Sequence, residues 1–399
     1  MLLILFNWLS SLGVKVPMVF SYFSTRMILA SVTCLLFTIL LGPSFIKKLY
    51  ELKIGQSIRS AQECPLLAEL HEKKKDTPTM GGILILSAML VSLFLWMDLT
   101  SVFTWLLMLC TVVLGMIGAV DDYYKLRYKN SKGIKPRKKL LFQVLFSTLV
   151  SLYLLVPSFQ SFIEKTTSLK PPIAKTFSEK RVTTLSTTKY SSMLYMPFMK
   201  QPLLEFKGAF LFILWLFLIL VITGTSNAVN LTDGLDGLAA GCIIMVAITL
   251  AIFAFLSNHM ELSRYLNILY IEGSGEIAVY LLALSGAALG FLWFNGYPAQ
   301  VFMGDTGSLG LGGILGLSAI LIKRELILAL AGMIFVVETL SVILQVLSYK
   351  FRNKKRIFLC SPLHHHFEYK GWPETKVVLR FWIISLLFCI IAIASLKFQ

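Results

Sequence analysis

Five polar clusters interrupt a chain that is otherwise very apolar, and their residue types are those of phosphate chemistry: His71 to Met80, Asp121 to Lys139, Asn227 to Asp236, Asn295 to Asp305, and His364 to His366. Asp121 and Asp122 end an apolar run in Gly-Ala-Val-Asp-Asp-Tyr-Tyr-Lys. Two adjacent carboxylates at a helix C-terminus oppose the helix dipole, a cost that a bound cation or a proton-transfer task would explain. Asn227, Asn230, Asp233 and Asp236 recur at intervals of three, so in a helix, or in a tight turn leading into one, they share a face. Gly234 and Gly237 leave room there for a ligand to approach backbone N–H groups. Asp305, in Phe302-Met-Gly-Asp-Thr-Gly-Ser-Leu-Gly, stands where a helix begins. Free N–H groups at such an end bind phosphate, and a carboxylate beside them can hold a hard cation that bridges phosphates. Lys73-Lys74-Lys75 and Thr79 precede another apolar run and make a second anion site, to which Lys125 and Lys139 can add.

Each cluster also has a plainer reading by itself. Asp121 and Asp122 can be a solvated helix end beside Lys125 and Arg127. Asp233, Asp236 and Asp305 can be helix caps, as can Thr79, and the lysines can be topology anchors. His364-His365-His366 invites a zinc site, but consecutive residues cannot all face one ion on regular structure and no ligand spacing supports it; phosphate or sugar contact suits the three better. Together, carboxylates able to hold Mg²⁺, helix N-termini and lysines are the parts of a phosphoryl-transfer site, where charge neutralisation and positioning supply most of the catalysis.

The elements that must position these groups are membrane helices. The chain has 399 residues, of which 56% are hydrophobic, and a mean hydropathy of +0.76, beyond the reach of a soluble domain with a polar surface. Crossing roughly 30 Å of hydrocarbon takes about 20 apolar residues in a helix. Continuous apolar runs predict ten spans: 27–46, 80–97, 103–120, 140–156, 208–225, 237–256, 277–293, 305–322, 327–347 and 379–396. All five polar clusters then follow an odd-numbered span or open the next one, so a weaving chain delivers them to one membrane face. Loops on that face carry 22 Lys and Arg against 14 opposite, and 8 of those 14 lie in one long loop; the short-loop bias makes the cluster face cytoplasmic and puts both termini outside. The expectation is an all-α integral membrane protein, a single polytopic domain over 1–399 with a long external loop between the fourth and fifth helices.

Residues 1–20 lack a basic leading region and a cleavage site and are expected as an interfacial helix. The loop 157–207, with Lys170-Pro171-Pro172 and a Ser/Thr-rich run to Ser192, is expected as a partly flexible external excursion with a short hairpin around Tyr190 to Phe198. The net charge of +16 fits topology signals and anionic headgroups rather than nucleic acid, since no basic module with interleaved aromatics stands free of the membrane. The six cysteines form no C-x-x-C pair, which indicates neither a disulfide framework nor zinc. Glu338 falls near the middle of the ninth span; it is expected to make a structural hydrogen bond to a neighbouring helix and is left outside the site.

Thr77-Pro-Thr-Met-Gly-Gly, Asp121-Asp-Tyr, Asn227-Ala-Val-Asn-Leu-Thr-Asp-Gly-Leu-Asp-Gly, Phe291-Leu-Trp-Phe-Asn with Pro298-Ala-Gln-Val-Phe-Met-Gly-Asp, and Pro362-Leu-His-His-His-Phe-Glu-Tyr-Lys-Gly-Trp-Pro-Glu occur in that order. The chain thereby resembles the phospho-N-acetylmuramoyl-pentapeptide transferase family, within the polyprenyl-phosphate N-acetylhexosamine-1-phosphate transferases. The likeness runs from about residue 20 to 397 and breaks only in the 157–207 excursion. It implies transfer of phospho-N-acetylmuramoyl-pentapeptide from its UDP carrier to undecaprenyl phosphate, giving lipid I and UMP for peptidoglycan synthesis. It further implies Mg²⁺, ten helices, a homodimer, and a site on the cytoplasmic face of the bacterial inner membrane. By motif position it implies that Asp305 binds Mg²⁺, that Asp121 and Asp122 serve the lipid phosphate and its activation, and that Asn230, Asp233, Asp236, Asn295 and Phe302, with Asn227 beside them, hold the uridine end. Lys74, Thr79, Lys125 and Lys139 would lie near phosphates, and His364, His365 and His366 near the sugar and phosphate, with His364 foremost. The His-His-His-Phe-Glu form separates this branch from enzymes that transfer N-acetylglucosamine-1-phosphate, the alternative within the class. A transporter using the aspartates as a relay is the alternative outside it, and would place ionisable groups at the bilayer midplane. Two departures stand out: Asp76 where the family has glycine, and the longer external excursion.

Overall fold

The computed structural model describes residues 2–15, 17–52, 77–128, 133–167, 169–178 and 181–397. Lys74 and Asp76 lie outside the described residues. Among the described residues sixteen α-helices carry the fold: α1 Leu2–Ser11, α2 Phe23–Glu51, α3 Gly82–Trp96, α4 Val102–Arg127, α5 Pro136–Leu155, α6 Pro157–Thr167, α7 Thr187–Ser191, α8 Leu211–Thr232, α9 Leu238–Ser257, α10 Met260–Tyr265, α11 Gly275–Asn295, α12 Gly304–Leu321, α13 Glu325–Ala331, α14 Met333–Phe351, α15 Leu363–Tyr369 and α16 Glu374–Ala394. Among the described residues nine helices are long and apolar enough to cross a membrane. Lipid offers the backbone no partner, so each apolar run satisfies its own N–H and C=O groups as a helix. The second predicted span emerges as α3, only 15 residues and thus about 22 Å long. The ninth does not run unbroken from 327 to 347: it divides at Gly332 into α13 and α14.

α12 is the hub. Of its apolar window 89% is buried, against 22% for α2, and it packs on α4, α8 and the start of α3. Hydrophobicity cannot drive helices together in lipid; close van der Waals fit does, which is why small residues line these seams. Gly82 shows how close the fit is: a Cβ there would fall 2.1 Å from Gly307 N. Gly118 of α4 is equivalent on the other side, where a Cβ would fall 2.2 Å from Asp305 O. These two contacts seat the first turn of α12 against α3 and α4. On the far side α11 packs against α2 and α9. Arg26 of α2 meets Glu276 of α11 at 2.8 Å and donates to Trp96 O at 3.0 Å, both side chains being nearly inaccessible.

The 157–207 excursion is built around α6, α7 and two small sheets. β1 (Ala174–Ser178) pairs antiparallel with β2 (Arg181–Leu185) and, on its other edge, with β5 (Tyr270–Ile271). β3 (Met193–Leu194) pairs with β4 (Leu204–Glu205). The hairpin expected around Tyr190 to Phe198 is met in part: its first strand, β3, lies in that stretch after the end of α7, and its second, β4, lies beyond it. The longer strand pair is β1 with β2, where β-branched Thr176, Thr183 and Val182 favour strand. Lys323, buried at the far end of α12, ties this excursion to the core by donating to Ser191 O at 3.1 Å while paired with Glu325 at 2.6 Å.

Candidate active site

Asp122 sits on the last turns of α4 and points at the first turn of α12. Its carboxylate accepts from Asp305 N at 3.2 Å, Thr306 N at 2.9 Å and Thr306 Oγ1 at 2.7 Å. α12 has no cap of its own side chain, and Asp122 supplies one from 183 residues away, where a carboxylate is favoured by both free N–H groups and the dipole. Sequence reasoning gave the capping reading to Asp305; the structure gives that contact to Asp122 and turns the Asp305 carboxylate to Lys125, Lys139 and Asn230.

Asp305 faces a basic pair. Lys125 Nζ lies 3.0 Å from its Oδ2 and Lys139 Nζ contacts the same oxygen. Asn230 Nδ2 donates to its Oδ1 at 2.8 Å and to Ser308 Oγ at the same distance. Asp121 completes the group, 2.7 Å from Lys125 and accepting from Ile134 N at 2.8 Å. One oxygen from each of Asp121, Asp122 and Asp305 falls within 4.8 Å of the others. Thr79 borders them: a Cβ on Gly304 (φ +73°) would lie 2.7 Å from Asp122 Oδ2 and 2.8 Å from Thr79 Oγ1.

The glycosyl transferase family 4 model matches residues 104–323, and a phospho-N-acetylmuramoyl-pentapeptide-transferase signature matches residues 74–86. A protein of that name from Protochlamydia amoebophila is 63% identical over 96% of this chain and 96% of its own. The chain belongs to the phospho-N-acetylmuramoyl-pentapeptide-transferase family. Others of the family, from Francisella tularensis subsp. mediasiatica and Maridesulfovibrio salexigens, are each 44% identical, the first over all of both chains and the second over 96% of this chain and 95% of its own.

The remaining family positions are distributed unevenly. Asn227 and Asn230, three residues apart on α8, share a face as expected but take different partners: the Asn227 amide donates to Gln143 Oε1 at 2.8 Å, clasping α8 to α5, and to Thr223 O at 2.7 Å within α8. α8 ends at Thr232, so Asp233 and Asp236 sit on the turn that follows rather than on its helical face. Burial, and then the charges of Asp305, Asp122 and Asp236, push the Asp233 carboxyl up to about 7. Asp236 accepts from Ala299 N at 3.0 Å and its own N donates to Glu374 at 2.8 Å. Asn295 spans two loops, accepting from Gly237 N at 3.0 Å and donating to Val301 O at 2.9 Å. Phe302 exchanges backbone hydrogen bonds with Pro78 O and Gly81 N, both at 2.8 Å, which brings the Thr77–Gly82 segment to the mouth of α12.

His364 is fully buried and lies against the same turn: a Cβ on Gly234 would fall 2.3 Å from its Nε2. His365 Nδ1 pairs with Glu368 at 2.6 Å, and His366 Nδ1 accepts from Leu359 N at 3.1 Å. Burial, and then Lys370, lower the pKa of His366. Glu338 makes the hydrogen bond to a neighbouring helix expected of it, its carboxylate accepting from Leu363 N at 2.7 Å and His364 N at 3.1 Å at the start of α15. Its depth in an apolar run was the available signal, since a carboxylate there requires a partner. Chemically, three carboxylates against two lysines form a compact, oxygen-rich, net acidic cluster, a donor set that suits a hard divalent cation.

Proposed function

We propose that this protein transfers phospho-N-acetylmuramoyl-pentapeptide from UDP-N-acetylmuramoyl-pentapeptide to undecaprenyl phosphate, releasing UMP and forming lipid I. The observation that carries the reading is the Asp121–Asp122–Asp305 cluster with Lys125, Lys139 and Asn230, in a chain that matches family members from end to end. An oxygen of the lipid phosphate attacks the β-phosphorus of the nucleotide sugar; the bond from that phosphorus to the bridging oxygen breaks, and UMP leaves with the electron pair. Asp121 takes the proton when the lipid phosphate arrives as a monoanion. Lys125 and Lys139 neutralise phosphate oxygens, moving off Asp305 to do so, and Asn230 holds the Asp305 carboxylate in place. Asp122 stays on the N-terminus of α12 and fixes the geometry. Asp305 would hold Mg²⁺, which when bound screens the phosphates and stabilises the charge that develops between them. Asp233, Asp236, Asn295 and Phe302 serve the uridine end, and Lys74, Thr79 and the histidines the phosphate and sugar.

In this reading α3 completes ten crossings of the bacterial inner membrane with both termini outside and the cluster on the cytoplasmic side, the protein working as a homodimer. The test is UMP release by the purified protein with undecaprenyl phosphate, offering UDP-N-acetylmuramoyl-pentapeptide or UDP-N-acetylglucosamine. Release with the first alone is expected. Release only with the second would reassign the substrate, and solute flux in sealed vesicles without UMP would replace the enzyme by a transporter. A phosphosugar trapped covalently on the protein without lipid phosphate would defeat direct attack.

A further inference from the structure

We infer that Glu338 is the positioning residue of the triple-histidine segment, acting through His364; the inference rests on the reading of His364 as part of the substrate site. Glu338 is completely buried in α14, a helix of apolar composition, where an ionisable group persists only when the surroundings satisfy it. They do so with an element that arrives from outside the span. Pro362, the residue before α15, offers no side-chain cap, and the Glu338 carboxylate takes the first two N–H groups of that helix, Leu363 N at 2.7 Å and His364 N at 3.1 Å.

The loop that brings α15 there is laid along α14 by a polar stripe. Ser348 Oγ donates to Lys355 O at 2.9 Å; Gln345 accepts from Ile357 N and Phe358 N and donates to Phe358 O, all at 3.0 Å; then comes Glu338. Positions 338, 345 and 348 lie on one helical face, and the chain passes them in reverse order, so the loop turns back and climbs about 15 Å toward the membrane interior. The final contact is the one that orients chemistry. His364 Nδ1 stands 3.2 Å from Glu338 Oε2, and neither ring nitrogen has a hydrogen bond among the described residues. The opposite edge of the ring rests on Gly234, between Asp233 and Asp236. The carboxylate thus fixes the backbone that carries the imidazole and lies beside Nδ1, on the side of the ring away from the substrate turn, with Nε2 on the side toward it.

A double-mutant cycle on the full-length protein tests this. UMP release and KM for the nucleotide sugar are measured for Glu338→Ala, His364→Ala and the double variant, with thermal unfolding in parallel. If Glu338 works through His364, each single variant loses about tenfold or more in kcat/KM, and the double variant stays within about threefold of the worse single one. Glu338→Gln, which keeps one acceptor oxygen but turns an amide N–H toward the second of the two N–H groups, is expected to fall between Glu338→Ala and wild type. Losses that multiply in the double variant overturn the inference, as does a Glu338→Gln protein with wild-type kinetics. Should Glu338→Ala not fold, Glu338→Asp replaces it in the same cycle, its shorter side chain drawing the carboxylate back from the two N–H groups. Wild-type kinetics for Glu338→Asp overturn the inference, and so do multiplying losses. A separate failure is recognisable: His364→Ala with unchanged kinetics overturns the site reading itself.

Discussion

Gly118→Ala is the sharpest probe of how the site is assembled, because the added methyl meets only backbone at the start of α12 and no side chain of the cluster. The added Cβ would fall 2.2 Å from Asp305 O and 2.6 Å from Thr306 Cα, while ordinary contact begins at 3.4 Å. Both obstacles are backbone at the start of α12, so the helix end must withdraw from α4 by about 1.2 Å to relieve the overlap. The bond from Thr306 N to Asp122, now 2.9 Å, would stretch beyond hydrogen-bond range. Asp305 would leave the position it holds between Lys125, Lys139 and Asn230. Overpacking of this kind costs about 1–3 kcal/mol, and a 1 Å misplacement in a site that works by positioning costs about 10²-fold in rate. Gly115→Ala on the same helix is the control, since its Cβ would meet only Leu86 Cδ1, at 2.5 Å, a methyl that a rotamer change removes. Both variants are assayed for UMP release and thermal unfolding. Gly118→Ala is expected to lose about 10²-fold in kcat with a lower Tm, and Gly115→Ala less than about threefold. Wild-type kcat in Gly118→Ala would refute the argument that the seam between α4 and α12 sets the carboxylate geometry.

Three further outcomes follow from the same structure. Asp305→Asn takes from Lys125 and Lys139 one of the two carboxylates they share, leaving Asp121; turnover is expected to fall by about 10³-fold or more and to lose its response to added Mg²⁺, and a Mg²⁺ titration of UMP release that still saturates normally would remove Asp305 from cation binding. The folded Asp233 carboxyl titrates at about 7 against an ordinary 3.8, so the folded state holds that proton more tightly than the unfolded chain and stability declines as pH rises from about 4 to 7. Asp233→Asn cannot ionise, and its Tm, measured in EDTA, should exceed wild type at pH 8 but not at pH 4; parallel Tm curves would contradict this. For topology, Lys354→Cys, in the exposed loop after α14, and Tyr265→Cys, 79% exposed at the end of α10, should react with an impermeant maleimide from the cytoplasmic and external sides respectively. Reaction of both from one side would break the weave that gathers the clusters.

The helices were legible because lipid imposes a local rule: every backbone group in the hydrocarbon must be satisfied within its own segment, and a continuous apolar run suffices to announce that. The same rule made Glu338 conspicuous. Asp121, Asp122, Asp305, Asn230, Lys125 and Lys139 could be nominated from residue type and from their places at span ends, and the structure brings them together. The sequence did not reveal which partner each would take. Asp122 caps a helix 183 residues distant, Asn227 turns to Gln143 while Asn230 turns to Asp305, and Glu338 receives a loop that folds back along its own helix. Such pairings have no period to read along the chain. They are set by which small residues allow two helices to close within van der Waals contact, and that complementarity exists only once the segments have met.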